Sequence, residues 1–535
     1  MRLAALRIAS IAVAAAAALA GCASGPPRLP EAPEVGRGAA LLPARVRRLS
    51  NAEYERTVSE LLATPVSFAD RLPPDVRQQG FTENADQTVV GAWWARLDAV
   101  IRDVVAAAVE PHSAALARCA AGSAGACRER WLRDLARRAY RRAPSAEEIA
   151  TLQRVLEAGE REGGLNGGAS LVLTVLLESP STLYLSELGP GGRPGEVVTL
   201  SEDEIAALLA FTVRGGPPDE PLLAAAAAGA LWDPARREHE ARRLLGQSGA
   251  RHHFRRFVLE WLEVDGLARS AKSVERFPEY DALRGKMLDE TSAFVDEVMV
   301  NGGASVRSLL DAGFASVEPE MARFYGMKTY GPRATLANTG RGGVLQHASF
   351  LAAHAHEDGT SPVKRGDFVL RKLLCETVKR PQELGIEVVI PAVSTTATTR
   401  ERFSQHVSDP SCAGCHRTID ALGYTFESFD ADGRARSEEN GRAVDTRGRF
   451  EFGGETREFA NSLELSRWLA GERRVRECFA RHAFRFFTAQ SDPDVEAGYI
   501  ELVGELPEQL ADSLVEQLVL FVKSDLFVRR EVRAP

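Results

Sequence analysis

The spacing of apolar residues along the chain predicts mostly helices. Apolar positions recur every three or four residues in SNAEYERTVSELL, SAEEIATLQRVLEAG and TLSEDEIAALLAFTV. Serine followed three residues later by glutamate, as in Ser50 with Glu53 and Ser145 with Glu148, is the capping-box pattern of a helix start. Gly159 is expected to end the second of these helices.

Strand-like alternation is rare. The best examples are EVVTL at 196–200 and the text at 441–452. We therefore predict a mainly α, multi-module helical protein with one or two small β hairpins. The 535 residues suggest roughly three or four domains by length alone.

Charge makes a nucleic-acid partner unlikely on physical grounds. The net charge of the chain is −8, whereas phosphate binding needs a basic surface. The most basic short segment, RHHFRR at 251–256, lies in helical text with acidic residues nearby. We interpret it as a solvated helix face.

The first residues predict export and a lipid anchor. MRLAALR is basic, residues 8–20 are apolar, and LAGC ends at Cys22, the order of a secretory signal. LAGC resembles the bacterial lipobox, which implies removal of residues 1–21 and lipidation of Cys22. The segment 22–45 is rich in Pro, Gly and Ala and suits a tether. An ordinary signal peptide with an incidental cysteine is the alternative.

One short motif carries the sharpest chemistry. CAGCH places Cys412, Cys415 and His416 in the C-x-x-C-H order of a c-type haem attachment site. Two thiols one helical turn apart can bind two vinyl groups of a porphyrin, and the adjacent histidine can bind the iron. The predicted cofactor is one covalent haem c. A disulfide between the two cysteines, or a zinc site that recruits a further histidine, are the alternatives.

The other cysteines are even in number. With Cys22 lipidated and two cysteines in CAGCH, four of the seven remain. Four cysteines allow three pairings in an oxidising compartment. Cys119 and Cys127 flank a short loop that can close locally, which leaves Cys375 with Cys478. The second pair would fasten the segment before CAGCH to the helix after it.

Several phrases together resemble a bacterial family built from serial domains of unknown function, numbered 1587, 1595, 1592, 1588 and 1585. They include RRLSNAEYERTVSELL, RRAYRRAPSAEEIATL, VVTLSEDEIAALLAF, GTSPVKRGDFVLRKLLC with DPSCAGCHRTIDALGYTFESFDADGR, and VRECFARHAFRFF. The modules we predict are 46–120, 128–188, 196–330, 340–440 and 455–532. The resemblance implies an exported protein with a c-type-cytochrome-like module in its C-terminal part. One departure is Asp420-Ala421, where the family has Asp-Pro.

The resemblance also points to a second iron ligand. No methionine follows the motif, since the last is Met327. AHAHEDGTSP matches the family's phrase, so we expect His356 as distal ligand, with His354 next. The alternatives are another histidine (His347, His406 or His482), an upstream methionine or an open position.

The FDADGR segment after the motif is not a calcium loop. The twelfth position of such a loop would be Gly441, where a glutamate is required. Arg434 and Arg436 can pair with haem propionates through bidentate contacts. The alternative is a turn with surface arginines.

These observations predict an envelope protein, anchored in the outer membrane, that transfers electrons through its haem, with coupling to the oxidation of a substrate as an extension of that role. A haem-dependent oxidoreductase with an open iron position, active on peroxide or oxygen, is one alternative. A disulfide-stapled scaffold or binding protein without a redox centre is the other. No G-x-S-x-G, H-E-x-x-H or P-loop motif indicates another enzyme class. The redox partner is not identified by the sequence.

Overall fold

The computed structural model describes residues 40–119, 124–377, 383, 391–404, 408 and 410–534. Cys22 and the predicted signal segment lie outside these residues. The described chain is mainly helical with small sheets, which confirms the predicted class. No helix in the described ranges is long and apolar enough to cross a membrane.

The N-terminal half is built from long helices. The elements up to residue 187 are the strand Arg45–Arg48, the helices Asn51–Leu61, Gly91–Ala117, Ala124–Tyr140, Ala146–Glu178 and Pro180–Leu183, the 3-10 turn Ala69–Arg71 and the strand Tyr184–Glu187. The central elements are the strand Val197–Thr199, the helices Glu202–Arg214, Glu220–Ala227, Pro234–Leu245, Ser248–Trp261, Tyr280–Asn301, Val306–Leu310 and Pro319–Phe324, the 3-10 turn Leu267–Arg269 and the strands Phe314–Val317 and Gly331–Thr335.

The C-terminal half has shorter elements around the CAGCH motif. They begin with the 3-10 turn Val344–Gln346, the helices Ala348–Ala353 and Pro362–Phe368, the π-helical turn Val369–Leu373, the helices Thr399–Phe403 and Pro410–Tyr424 and the strands Glu438–Glu439 and Arg442–Ala443. They continue with the strands Gly448–Phe452 and Glu455–Phe459, the helices Ser462–Gly471, Arg473–Thr488, Pro493–Gly504, Glu508–Ala511, Leu514–Lys523 and Asp525–Val528 and the strand Arg529–Glu531.

Helix starts follow the local signals, but one helix stop does not. Both predicted capping boxes form, at Ser50 and at Ser145. The helix that starts at Ala146 continues through Gly159 and is broken only at Gly163 and Gly164. A Cβ on Gly159 would lie 2.4 Å from the carbonyl oxygen of Gly167. Gly159 therefore permits a close backbone approach rather than ending the helix, and that part of the prediction is wrong.

The sheets are more numerous than the predicted one or two hairpins. The described residues form five two-stranded antiparallel sheets. Two of them join distant segments: Arg45–Arg48 pairs with Tyr184–Glu187, and Val197–Thr199 pairs with Arg529–Glu531. Because these partners are far apart in sequence, local alternation does not reveal them.

The modules share one hydrophobic core. A continuous cluster of buried apolar residues runs from Leu42 to Val528 and includes side chains from all five predicted modules. A smaller cluster joins Leu267 and Tyr280 to Ala348 and Ala431. The segments that carry the family phrases are therefore held against one another by burial of apolar surface.

Candidate functional site

The CAGCH motif lies at the start of the helix Pro410–Tyr424, called here the motif helix. Residues three and four apart lie on one face of a helix, so Cys412, Cys415 and His416 share a face. Cys412 is half-buried and Cys415 is exposed. Neither thiol belongs to a disulfide in the described chain. The geometry brings together the three residues that the motif predicts.

Asp420 orients the histidine of the motif. Nδ1 of His416 lies 3.0 Å from Oδ1 of Asp420, one helical turn later. The Asp420 side chain is 1% exposed, whereas that of His416 is 22% exposed. When Nδ1–H is donated to the carboxylate, Nε2 is the nitrogen that can bind a metal. A carboxylate in this position is a common partner that orients a metal-binding imidazole.

Two glycines fix the motif helix against the helix Pro362–Phe368. A Cβ on Gly423 would lie 1.9 Å from the carbonyl oxygen of Pro362. A Cβ on Gly366 would likewise lie 1.9 Å from the carbonyl oxygen of Ile419. The two helices thus touch backbone to backbone, and no larger residue fits at either position.

Arg365, on the shorter of these helices, is a buried centre of hydrogen bonding. It is 0% exposed. Its Nη1 donates to the carbonyl oxygens of Phe426 and Phe429, both at 3.1 Å. Its Nη2 donates to those of Leu351 at 3.1 Å and Asp430 at 3.0 Å. One guanidinium therefore ties the chain before the motif helix to the chain after it.

The family comparison follows the same order along the chain. Four models match, each described as a protein of unknown function: DUF1587 (PSD3) at 47–110, DUF1595 (PSD5) at 127–187, DUF1592 (PSD4) at 200–327 and DUF1588 (PSCyt3) at 341–439. The chain belongs to this family of serial domains of unknown function. No curated protein and no solved structure matches it. The fifth module, at 455–532, stays a prediction.

The FDADGR phrase of this family forms a tight turn in the chain. Gly433 has a φ of +88°, and a Cβ there would lie 2.7 Å from Cα of Ala348. Nη2 of Arg341, which is buried, donates to the Gly433 carbonyl oxygen at 2.6 Å. Close packing and a buried arginine explain the glycine, so the turn has a structural role whether or not a cofactor binds nearby.

The two arginines proposed for haem propionates already have acidic partners. Arg434 bonds to Glu279 and lies over the ring of Phe324, with its guanidinium carbon 4.5 Å from the ring centre. Arg436 donates to Glu427 Oε2 at 2.8 Å and is 13% exposed. Arg434 thus lies at the surface, as in the alternative interpretation of a turn with surface arginines, whereas Arg436 is mostly buried.

His354 and His356 lie in different surroundings. His354 is buried, its Nε2 is 2.9 Å from the Leu262 carbonyl oxygen, and its ring centre is 4.5 Å from that of Phe350. His356 is half-buried. Burial, together with the charges of Lys364 and Lys272, lowers the pKa of His356 to about 4. The neutral imidazole retains a lone pair for a metal at neutral pH.

The other histidines are less suited to iron. His347 is buried and bonds to Thr291 with Nδ1 at 3.0 Å from Oγ1. His406 lies outside the described residues. His482 is buried, and its ligand nitrogen and the sulfurs of Cys375 and Cys478 lie within 4.8 Å of one another. Because these two sulfurs form a disulfide, they are not available as metal thiolates.

Both disulfides have the pairing that the sequence predicts. Cys119 joins Cys127, and Cys375 joins Cys478. Cys375 follows the π-helical turn Val369–Leu373, and Cys478 lies in the helix Arg473–Thr488. The second bridge thus fastens the segment between the helix Pro362–Phe368 and the motif helix to the last module.

Sequence reasoning missed a charged cleft at the junction of the first and central modules. The cleft has a volume of about 550 Å³ and includes Arg56, Glu60 and Arg214. His252, His253 and Arg256 of the RHHFRR segment also line it. His253 and Phe254 are buried whereas His252 is exposed, so only part of this segment is the solvated face that the sequence predicts. The helical spacing of Phe254, Phe257 and Trp261 is the sequence signal for its buried side.

We expect Arg365→Lys to destabilise the protein by more than about 3 kcal/mol. A lysine has three donors and cannot reproduce a fork that serves four carbonyl groups, and each unsatisfied buried group costs about 1–3 kcal/mol. Thermal unfolding followed by circular dichroism measures the change. Limited proteolysis within residues 425–436 should become faster.

Arg434→Lys is the matched control, because its side chain is 46% exposed. Its ion pair is expected to contribute no more than about 1 kcal/mol. Equal effects of the two substitutions would contradict the special role of Arg365.

Proposed function

We propose that the protein is an exported, lipid-anchored, c-type-cytochrome-like protein that transfers electrons through one covalent haem. The observation that carries this proposal is the arrangement in the motif helix. Cys412, Cys415 and His416 share one face, and Asp420 holds Nδ1 of His416. This donor set fits a c-type haem: two thiols for the porphyrin edge and Nε2 of the histidine for the iron.

The chain's own residues would do three things. Cys412 and Cys415 would hold the porphyrin edge through thioether bonds to its vinyl groups. Nε2 of His416 would bind the iron, and Asp420 would keep that imidazole oriented and electron-rich. Haem supplies one-electron redox chemistry when bound. No external oxidant is needed for the attachment.

His356 remains the proposed distal ligand. Its imidazole makes no side-chain hydrogen bond within the described part of the chain, and its low pKa keeps it neutral. His354 is the weaker candidate, because its Nε2 is used on the Leu262 carbonyl and its ring is packed among phenylalanines.

The size of the chain supports a role beyond simple electron storage. A single haem needs far less than 535 residues. The cleft of about 550 Å³ near Arg56 and His252 is large enough for a small substrate or a segment of a partner. Substrate oxidation coupled to the haem is therefore part of the proposal, and the redox partner is a second protein.

A scaffold without a redox centre is the second candidate. The single core across all modules, the two disulfides and the buried arginines would also suit a rigid envelope protein.

A haem enzyme with an open iron position is distinguished from a six-coordinate carrier by whether carbon monoxide binds to the reduced protein.

The haem is tested by a pyridine haemochrome spectrum. The protein should be exported in a host that matures c-type cytochromes and stripped of non-covalent haem. We expect a c-type band that disappears in the double variant Cys412→Ala, Cys415→Ala. The variant Cys119→Ala, Cys127→Ala removes a disulfide elsewhere and should keep the band. A colourless wild-type protein would favour the scaffold.

Asp420→Asn is expected to raise the reduction potential of the haem. The buried carboxylate stabilises the ferric state, and loss of such a partner typically weakens a metal–ligand interaction 10–100-fold. If only the ferric form loses this affinity for the ligand, the reduction potential rises by about 60–120 mV for one electron. Spectroelectrochemistry measures it. Asp494→Asn, at an exposed position, should leave the potential unchanged, and equal potentials for all three proteins would refute the role of Asp420.

The lipid anchor is tested by fractionation. Wild-type protein is expected in the membrane fraction and Cys22→Ala in the soluble fraction, because the chain would then lack its acyl groups. Replacing Ser24 by alanine is a neighbouring control that should stay membrane-bound. Membrane association of Cys22→Ala equal to that of the wild type would argue against lipidation.

A further inference from the structure

Two lysines from distant segments meet at the backbone around His356. Nζ of Lys272 donates to the carbonyl oxygen of His356 at 2.8 Å. Nζ of Lys364 donates to the carbonyl oxygen of Ala355 at 3.0 Å. These carbonyls belong to adjacent residues, and the charge of Lys364 acts on Lys272. Lys272 is only 6% exposed, and burial together with the charges of Lys364 and Arg365 lowers its pKa to about 7, so it carries its proton only part of the time at neutral pH.

These ammonium groups lack a carboxylate partner. Within the described residues, no Asp or Glu oxygen comes within ion-pair distance of either one, and each bonds to a neutral carbonyl. An ammonium has three N–H donors, so each lysine has donors left over. Water can reach the exposed Lys364, whereas a charge on the buried Lys272 is costly unless an anion lies beside it.

A third cation, Arg402, acts on the same histidine. The positive charge of Arg402 acts on the His356 ring together with those of Lys364 and Lys272. The guanidinium of Arg402 bonds to the carbonyl oxygens of Pro391 and Ala392 and to the hydroxyl of Thr399. It too forms no ion pair among the described residues. We call Lys272, Lys364 and Arg402 the cation cluster.

The donors of the cluster indicate the class of ligand. After one bond each to a carbonyl oxygen, the two lysines have further N–H groups, and Asp432 and Glu357 act on Lys272 only from beyond ion-pair distance. Planar carboxylates accept several N–H donors from such a cluster.

We propose that the cation cluster binds a carboxylate group beside His356. The carboxylate is either a propionate of the haem, in which case the inference rests on the proposed function, or part of a separate small ligand. Both sources present the same chemistry to the lysines. Under this proposal the propionate is bound by the cation cluster and not by Arg434 and Arg436, whose guanidinium groups already have acidic partners.

The first test uses the haem-free full chain, Cys412→Ala with Cys415→Ala. Sodium propionate is titrated at constant ionic strength and its binding is followed by ligand-observed NMR. We expect binding that weakens at least tenfold in Lys272→Met and in Lys364→Met. Lys328→Met changes an exposed lysine and should bind as before. Lys364 is exposed, so its variant tests the cluster even if Lys272→Met fails to fold.

The second test uses the haem-loaded wild type. Loss of free propionate binding there, with a lower reduction potential in Lys364→Met, assigns the cluster to a haem propionate. Undiminished binding assigns it to a separate carboxylate ligand. If the wild type carries no haem but still binds propionate through the lysines, the proposed function fails and the inference stands. If lysine-dependent binding is absent and the haem potential is the same in Lys364→Met, the inference is overturned.

Discussion

The position of the motif helix depends on the buried guanidinium of Arg365. Burial lowers the pKa of this arginine to about 10, so it stays charged at neutral pH. Its four bonds go to backbone carbonyls, with Glu427 Oε1 3.5 Å away as the nearest counter-charge. The two Nη atoms donate to these four carbonyls, so the segments that carry them are held together around the buried charge. Gly366 and Gly423 let the two helices touch backbone to backbone, and Arg365 binds the turn that follows the motif helix.

The same device recurs at other helix ends. Arg237 is 1% exposed and donates to the carbonyl oxygens of Val522 and Lys523, at the end of the helix Leu514–Lys523. Arg141 donates to those of Thr182 and Tyr184. The last carbonyls of a helix have no partner within the helix, and arginine satisfies several at once without adding an acceptor. Arg237 joins the central module to the last one in this way, whereas Arg141 and Arg365 bind carbonyls within their own modules.

Local features of the fold were predictable and non-local ones were not. Capping at Ser50 and Ser145 involves residues three apart, and the CAGCH face involves residues within one turn. The strand Val197–Thr199 pairs with Arg529–Glu531 and so joins the two halves of the chain. The EVVTL sequence predicts a strand but carries no information about which segment pairs with it. Gly159 misled for a related reason: its role is set by Gly167 across the helix break. A glycine's meaning depends on which backbone comes near it.

The candidate site also has a local part that a sequence motif reveals and a non-local part that it does not. The groups that would hold the iron side of a haem, from Cys412 to Asp420, lie within nine residues, so a motif can reveal them. The charges around His356 come from Lys272, Lys364 and Arg402, each on a different segment. Their convergence requires the central helices to be anchored by the shared core. The potential of a haem depends on nearby charges as well as on its ligands. In the proposed haem protein, the large helical modules would therefore influence the potential without contributing a ligand, because they fix the cations near His356.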